Sequence, residues 1–290
     1  MQPDAVAVVT YPGHALTTVL TIRNLLELTS WTVPVHVFID DQGPQYQQWP
    51  SFLEQYQQLL NKQFPSTVFV YHKFSDFNFA HIWDGWLRQQ MVKLNLDRAL
   101  PGNQWYVTDG DVQLTRVLDI NETPFNFVTN LNPLLDQQNE SYLGHMLGIS
   151  DPRIRYQDRA VFTHLAPFRW VHRHHLDGLR RFVTDRLHND FNISHTNLMR
   201  QERIIGYGNK PTDLSMTEWD LIELYRERIL GEDIGLRYWI NQTNELSVCD
   251  HEPSMFWTFF GTDRDLGIEW FADLHVSEDL WTQIQAITRT

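Results

Sequence analysis

The N-terminal part of the chain alternates between short β-branched runs and longer segments with helical spacing of apolar residues. Ala5–Thr10 is a continuous β-prone run of the kind found in strands buried on both faces, and Val35–Ile39 is predicted as a second strand. Helical spacing follows each run, over residues 16–28 and 45–62. The next predicted elements are a strand at 67–71, a helix at 82–96 and a strand at 105–108. This alternation predicts an α/β fold with a mostly parallel central sheet flanked by helices.

Beyond residue 111 the pattern is looser, and residues 131–160 are polar and predicted to be rich in loops. The predicted strands lie at 125–128, 161–162, 169–171, 236–240 and 255–259, and the predicted helices at 172–186 and 217–231. No linker rich in proline or glycine and no repeat interrupts the chain. We therefore expect a single domain over residues 1–290.

The strand predicted at 105–108 ends in Asp109-Gly110-Asp111. Side chains two residues apart on a strand point to the same side, which places the two carboxylates roughly 7 Å apart at the backbone. Two like charges so close favour a bound divalent cation, and oxygen ligands suit Mg²⁺ or Mn²⁺. The alternative is a polar turn whose aspartates cap backbone amides.

Two other predicted strands also end in polar residues. Thr10 and Tyr11 follow the first strand, and Asp40 and Asp41 follow the second. In a doubly wound sheet, ligands bind beyond the carboxyl ends of the strands. These four residues are therefore candidates for ligand contacts, although polar residues end many strands for structural reasons alone.

Composition excludes some classes of function. The net charge is −13 and the chain has only four lysines, so non-specific nucleic-acid binding is not expected. No run of apolar residues is long enough for a membrane span, and the N-terminus lacks the features of a signal peptide. The single cysteine, Cys249, fits a reducing compartment. Together these features favour a cytoplasmic protein.

Three segments carry a resemblance to a known class. They are Arg88-Gln89-Gln90-Met91-Val92-Lys93-Leu94, Trp105-Tyr106-Val107-Thr108-Asp109-Gly110-Asp111-Val112 and Ser215-Met216-Thr217-Glu218-Trp219-Asp220. The chain resembles the GT-A class of nucleotide-sugar-dependent glycosyltransferases, and more narrowly a bacterial and viral branch of it. That branch usually has Ser or Ala where Gly110 stands and Tyr where Trp219 stands. We interpret Gly110 as a departure that leaves room for the donor.

The resemblance implies a Rossmann-like GT-A fold and metal-dependent transfer of a sugar from a nucleoside-diphosphate sugar to a glycan or another hydroxyl acceptor. Residues 1–115 would form the nucleotide-binding half and residues 116–290 the acceptor-binding half. Mn²⁺ or Mg²⁺ would be held by Asp111 and by Asp109, which could instead contact the ribose. A third metal ligand is expected from His275, with His251 as the second choice.

The remaining site residues follow from the same resemblance. Thr10, Tyr11 and either Asp40 or Asp41 would contact the nucleotide base or ribose, while Arg88 and Lys93 would face the diphosphate or the donor sugar. Glu218 is the candidate general base, with Asp220 as its alternative. Ser215 followed by Glu218 is also the pattern of a helix capping box, in which the glutamate has no catalytic role.

Two other functions stay open. A non-catalytic relative of the same fold could bind carbohydrate or nucleotide through some of the eleven tryptophans. A sugar nucleotidyltransferase is less favoured, because Tyr11-Pro12-Gly13-His14 lacks a phosphate loop rich in glycine and basic residues. Separately, His172 and His175 would share one face of the predicted helix and could bind zinc, although such a run is more often a solvated basic face.

Overall fold

A computed structural model describes residues 2–42, 52–79, 85–114, 123–128, 142–151, 154–156, 159–161, 164–165, 168–205, 218–232, 236–241, 256–258, 279 and 282. Its centre is a five-stranded sheet in the order β10-β4-β1-β2-β3. These strands are β1 (Ala5–Thr10), β2 (Val35–Ile39), β3 (Phe69–Lys73), β4 (Gln104–Asp109) and β10 (Phe168–His172). Four of them are parallel, and β10 alone runs antiparallel, beside β4. The predicted α/β class is confirmed.

The described helices are α1 (Ala15–Leu28), α2 (Phe52–Gln63), α3 (Gly85–Lys93), α4 (Arg173–Leu187), α5 (Phe191–Ile205) and α6 (Glu218–Leu224). Residues 142–147 are also helical. Short 3₁₀ turns cover Pro12–His14, Phe74–Phe77 and Leu96–Arg98, and a π-helix, Tyr225–Leu230, continues α6. The short strands are β5 (Val112–Leu114), β6 (Thr123–Val128), β7 (Ile154–Tyr156), β8 (Arg159–Val161), β9 (His164–Leu165), β11 (Leu236–Asn241) and β12 (Phe256–Thr258).

The sheet separates two hydrophobic cores, because successive side chains of a strand point to opposite faces. On β1, Ala5, Ala7 and Val9 belong to one core, while Val6 and Val8 belong to the other. Helices α1 and α2 cover the second core, and α3, α4 and α6 cover the first. The result is a three-layer arrangement with the sheet in the middle.

The chain changes sides of the sheet between β3 and β4. Helix α1 leads from β1 to β2 on one face, whereas α3 precedes β4 on the other face. As a consequence, β1 has β2 on one side and β4 on the other. Ligands of open α/β sheets bind at such a switch point, beyond the carboxyl ends of the strands.

Most predicted elements of the N-terminal part lie within a few residues of the observed ones. The later part contains elements that were not predicted. Within residues 131–160, which were predicted to be rich in loops, residues 142–147 are helical, Ile154–Tyr156 is β7, and β8 begins at Arg159, so the prediction was wrong at these positions. Helix α5 was not predicted. In the part of the chain described above, no helix combines the length and apolar character needed to cross a membrane.

Candidate active site

The two aspartates of Asp109-Gly110-Asp111 lie at the switch point of the sheet. Val9 of β1 is paired with Asp109 of β4, and the Gly110 amide donates a hydrogen bond of 2.9 Å to the carbonyl oxygen of Val9. Each aspartate side chain keeps part of its surface exposed, 16% for Asp109 and 19% for Asp111. Both carboxylates can therefore be reached from solvent.

Gly110 packs directly against two threonines. A Cβ at this position would lie 2.4 Å from Thr18 Oγ1 and 2.6 Å from Thr10 Oγ1. These two hydroxyls are themselves hydrogen-bonded at 2.7 Å. Because the side-chain position of residue 110 is filled by protein, the expectation that Gly110 leaves room for the donor is wrong. Glycine is needed here for close backbone approach.

Asp109 is held by helix α3. Lys93 Nζ lies 2.6 Å from Asp109 Oδ1, and Gln89 Nε2 donates to the same oxygen at 2.9 Å. Gln89 and Lys93 are four residues apart, so they share one face of the helix. Lys93 was predicted to face the diphosphate or the donor sugar. In the structure Lys93 is buried and its amine contacts Asp109, while a contact with the donor remains a prediction.

Lys93 also contacts a second carboxylate. Glu218, the first residue of α6, has its Oε1 atom 2.7 Å from Lys93 Nζ, and its side chain is only 1% exposed. Lys93 Nζ further lies 5.3 Å from the centre of the Trp219 ring. The Arg169 guanidinium is 5.2 Å from the same ring, and Arg169 pairs with Glu223 at 2.7 Å. The start of α6 thus surrounds the lysine with carboxylate and aromatic groups.

Asp111 faces the loop that follows β1. His14 Nδ1 lies 3.7 Å from Asp111 Oδ2, and His14 Nε2 is hydrogen-bonded to the Tyr11 hydroxyl at 2.6 Å. Tyr11 is half-buried, whereas Thr10 is buried and bonded to Thr18. Of the two residues predicted to contact the base, only Tyr11 keeps appreciable exposure.

The electrostatics of this cluster are dominated by burial of the two aspartates and by the opposing attraction of Lys93. Burial raises the pKa of Asp109 to about 7, with Asp111 and Glu218 adding to the rise and Lys93 opposing it. Burial likewise raises the pKa of Asp111 to about 6, again opposed by Lys93. For Lys93, burial alone would lower the pKa, but the attraction of Asp109 and Glu218 outweighs it. Its pKa therefore rises and the amine stays protonated.

The donor set of the cluster fits a divalent cation. Asp109, Asp111 and Glu218 together carry three negative charges when ionised, against the single positive charge of Lys93. A cation beside Asp109 and Asp111 would relieve the repulsion that raises the pKa of Asp109. Carboxylate oxygens are the ligands preferred by Mg²⁺ and Mn²⁺.

The acids that follow β2 already have protein partners. The Asp40 carboxylate accepts hydrogen bonds from Arg88 Nε at 3.0 Å and from Arg88 Nη2 at 2.7 Å, and both side chains are buried. Asp41 accepts two hydrogen bonds from Ser75, one from the amide at 2.9 Å and one from the side-chain hydroxyl at 2.5 Å. Contacts of Asp40, Asp41 or Arg88 with a nucleotide remain a prediction.

Four other predicted residues remain: Asp220, and three that lie outside the described part of the chain. Asp220 is buried and acts electrostatically on Arg169. Ser215, the proposed cap of α6, lies outside the described residues, as do His251 and His275. The capping box and the third metal ligand are therefore untested.

The histidine run is arranged differently from the prediction. His172 is the last residue of β10, while α4 begins at Arg173, so His172 and His175 do not share a helix face. The ring centres of His172 and His175 are nevertheless 5.3 Å apart, because the chain turns between strand and helix. A residue remote in sequence, Glu232, joins His174 and His175 in one group of possible metal ligands.

Sequence reasoning missed two residues of the site. Gln89 stands within the quoted segment Arg88–Leu94 but was given no role, although helical spacing places it on the face of Lys93. His14 was assigned only to a loop. Its position in the turn directly after β1, the strand next to β4, is the signal that could have identified it.

Comparison with known proteins adds a distant structural likeness. No protein-family model and no curated protein matches the chain. Among solved structures, the galactosyltransferase LgtC, determined with donor and acceptor sugar analogs, is 11% identical, with a TM-score of 0.45 over 96% of this chain and 99% of LgtC. The bifunctional glycosyltransferase WbbM is 9% identical, with a TM-score of 0.40 over 70% of this chain and 38% of WbbM. The glycosyltransferase GlyE of Streptococcus pneumoniae is 9% identical, with a TM-score of 0.35 over 83% of this chain and 45% of GlyE.

At these scores the likeness is one of general architecture. The function proposed below therefore rests on the geometry of the site.

Proposed function

We propose that this chain is a metal-dependent glycosyltransferase that moves a sugar from a nucleoside-diphosphate sugar to a hydroxyl acceptor. One observation supports this above all others. Asp109 and Glu218 contact the buried Lys93 at the switch point of a doubly wound sheet, and Asp111, two residues beyond Asp109, interacts with Lys93 electrostatically. Paired acids with a protonated lysine suit a diphosphate donor that binds together with a divalent cation.

In this reaction a bond forms between the acceptor oxygen and the anomeric carbon of the sugar. The bond from that carbon to the diphosphate oxygen breaks, and the acceptor hydroxyl loses its proton. Negative charge develops on the departing nucleoside diphosphate. A divalent cation bound by Asp109 and Asp111 would stabilise that charge. Tyr11, half-buried beside Asp111's neighbour His14, is the residue that we propose contacts the nucleotide.

Lys93 orders the acids in this proposal. Because its amine lies within 2.7 Å of both Asp109 and Glu218, it fixes the position of Asp109 for the cation. Gln89 supports the same oxygen from the preceding turn of α3. A positive group of this kind next to the metal ligands would also attract the anionic donor.

Glu218 has two candidate roles, as a general base and as a residue that positions Lys93, and its buried surroundings favour the second. As a general base it would have to meet the acceptor hydroxyl, yet its side chain is 1% exposed and lies against Lys93. As a positioning residue it only needs to hold the lysine. We favour the positioning role, and Asp220 remains the other candidate for the base.

The experiment is Mn²⁺-dependent hydrolysis of nucleotide sugars by the full chain, across UDP, GDP and CDP donors. The Asp111→Asn variant should lose hydrolysis by at least about 100-fold, on the scale of removing one electrostatic contact to the developing charge. Asp185→Asn is the matched control, because Asp185 is an exposed acid on α4. Wild-type turnover in Asp111→Asn, with circular dichroism showing an intact fold, would contradict the metal assignment.

A further inference from the structure

A second polar cluster lies near the start of β4, at the end of the strand opposite to Asp109. In the antiparallel register His172, the end of β10, is paired with Gln104, the start of β4. Asp109 ends β4 five residues later, which corresponds to roughly 17 Å along the strand. Whatever this cluster does is therefore spatially separate from the proposed cation site of Asp109 and Asp111.

The cluster brings two imidazoles to one carboxylate. His175 Nε2 lies 3.0 Å from Glu232 Oε1, and His174 Nε2 lies 3.9 Å from the same oxygen. The ligand atoms of these three residues all lie within 4.8 Å of one another. In a tetrahedral zinc site with ligand distances of roughly 2.0–2.2 Å, neighbouring ligand atoms are about 3.3–3.6 Å apart. The two contacts to Glu232 bracket that spacing.

The chemistry of the donor set favours zinc over the harder cations. Two imidazole nitrogens and a carboxylate oxygen suit Zn²⁺, whereas Mg²⁺ and Ca²⁺ prefer oxygen-only sites. The ring of His172 lies beside both histidines, with ring centres 5.5 Å from His174 and 5.3 Å from His175. His172 lies beside the group but is not one of the three residues whose ligand atoms lie within 4.8 Å of one another.

The carboxylate is already oriented for a ligand. Arg226 Nε donates to Glu232 Oε2 at 2.8 Å, so Oε1 is the oxygen turned toward the histidines. Hydrogen bonds to the outer atoms of metal ligands are the usual way in which proteins fix those ligands. Arg226 Nη1 also lies 3.0 Å from each carboxylate oxygen of Glu223, which Arg226 shares with Arg169.

Access and rigidity are combined in the same group. His175 is buried, while the side chain of His174 is 66% exposed and can rotate to close the remaining gap. Glu232 follows Gly231, which ends the π-helix in the left-handed region with φ of 69°. A bound ion would therefore join the start of α4 to the end of the helix that continues α6.

We propose that His174, His175 and Glu232 form a binding site for a zinc-type divalent cation. Because the ligands belong to two segments that are remote in sequence, binding would stabilise the packing of α4 against the π-helix. The site is distinct from the proposed cation site of Asp109 and Asp111, and the proposal does not depend on glycosyltransferase activity.

The test is titration of the full-length chain with Zn²⁺ against a chromophoric chelator, in the Asp111→Asn background so that the acidic site contributes least. The expected result is one tight equivalent of Zn²⁺. His174→Ala changes an exposed position that the fold tolerates, and it should weaken Zn²⁺ binding by more than about 10-fold. Losing a residue that only hydrogen-bonds to a metal ligand typically costs about 10–100-fold, so the loss of a ligand should cost at least as much. Glu232→Gln should weaken Zn²⁺ binding similarly.

His145→Ala is the matched control, since His145 is an exposed histidine on the helical residues 142–147. It should retain the affinity of the parent chain. In addition, Zn²⁺ should raise the melting temperature of the parent and of His145→Ala, but not of His174→Ala. Equal affinity in His174→Ala and His145→Ala, or no bound Zn²⁺ in the parent chain, would overturn the proposal.

Discussion

At the scale of single residues, Gly110 shows how packing can dictate a motif that looks catalytic. The glycine between the two aspartates is surrounded by Thr10 and Thr18. Its small size allows β4 to end against β1, which in turn places Asp109 and Asp111 at the switch point. The glycine of the motif is therefore required by packing, whatever the two aspartates bind.

Gly110→Ala should destabilise the protein. A Cβ 2.4 Å from Thr18 Oγ1 overpacks the turn, and we expect a loss of about 1–3 kcal/mol in the free energy of unfolding, measured with urea. Gly85→Ala is the comparison, because its nearest atom, Asp40 Oδ2, is 3.3 Å away. A cost no larger at residue 110 than at residue 85 would argue against this packing.

The raised pKa values of Asp109 and Asp111 make stability depend on pH. Both pKa values are higher in the folded chain, about 7 and about 6, than the ordinary 3.8. The folded state therefore binds protons more tightly, and this stabilising contribution is present below pH 3.8 and lost as pH rises through the folded values. In EDTA, the stability of the wild type relative to Asp111→Asn should fall between pH 4 and pH 7.

Urea unfolding of the wild type and of Asp111→Asn at several pH values measures the difference in their free energies of unfolding. Contributions from groups that titrate alike in the two proteins cancel in this difference. Mn²⁺ affinity of the wild type, measured by calorimetry, should rise over the upper part of the same range, because the acids must lose their protons to bind. Parallel stability profiles for the two proteins would contradict the pKa assignment.

At the scale of elements, helices α3 and α6 meet at one lysine. Lys93 ends α3 and Glu218 begins α6, and the two side chains are in contact only because both helices pack on the same face of the sheet. Trp219 covers the lysine from the next position of α6. The long separation in sequence between these residues is closed by tertiary packing alone.

Lys93→Met should leave Asp109 and Glu218 without their shared cation. Breaking a buried ion pair by removing one partner typically costs about 3–5 kcal/mol, and we expect a loss of that order in urea unfolding. Lys62→Met is the matched control, because the Lys62 side chain is 64% exposed and pairs at 4.0 Å with an exposed acid. It should change stability by less than about 0.5 kcal/mol.

The double variant Lys93→Met, Glu218→Gln separates the two partners. If Glu218 acts by holding the lysine, the double variant should be more stable than Lys93→Met alone, because an unpaired buried charge has been removed. Strictly additive losses would show that the two residues act independently.

Sequence reasoning located elements better than contacts. The strands at Ala5–Thr10 and Val35–Ile39 were predicted with their observed bounds, because short runs of β-prone residues bounded by polar or loop residues have few alternatives. Helix α5 was missed, and so was the antiparallel direction of β10. Strand direction depends on which partner a segment meets, and a local pattern does not carry that information.

At the scale of the whole molecule, the order β10-β4-β1-β2-β3 places the carboxyl ends of β1 and β4 side by side at the switch point, where open α/β sheets bind ligands. The acids Asp109 and Asp111, together with the loop residues Tyr11 and His14, all lie at this switch point or next to it. A nucleoside diphosphate bound there would contact both β1 and β4 and so stabilise the folded chain as a unit.

A nucleoside diphosphate with Mn²⁺ should therefore raise the melting temperature of the whole chain. At one hundred times the dissociation constant the expected stabilisation is about 2.7 kcal/mol. The screen compares UDP, GDP and CDP, each with and without Mn²⁺, in the wild type and in Asp111→Asn. No shift with any of them would favour the carbohydrate-binding alternative.

The α/β class, the strand that ends at Asp109 and the candidate acids could be predicted from the sequence, because hydrophobic periodicity and strand-end chemistry are local properties. Three sets of contacts could not be predicted: Lys93 lies between Asp109 and Glu218, Arg88 pairs with Asp40, and Glu232 reaches His174 and His175. These contacts depend on how remote segments pack across the sheet, and the spacing of residues along the chain does not specify that packing.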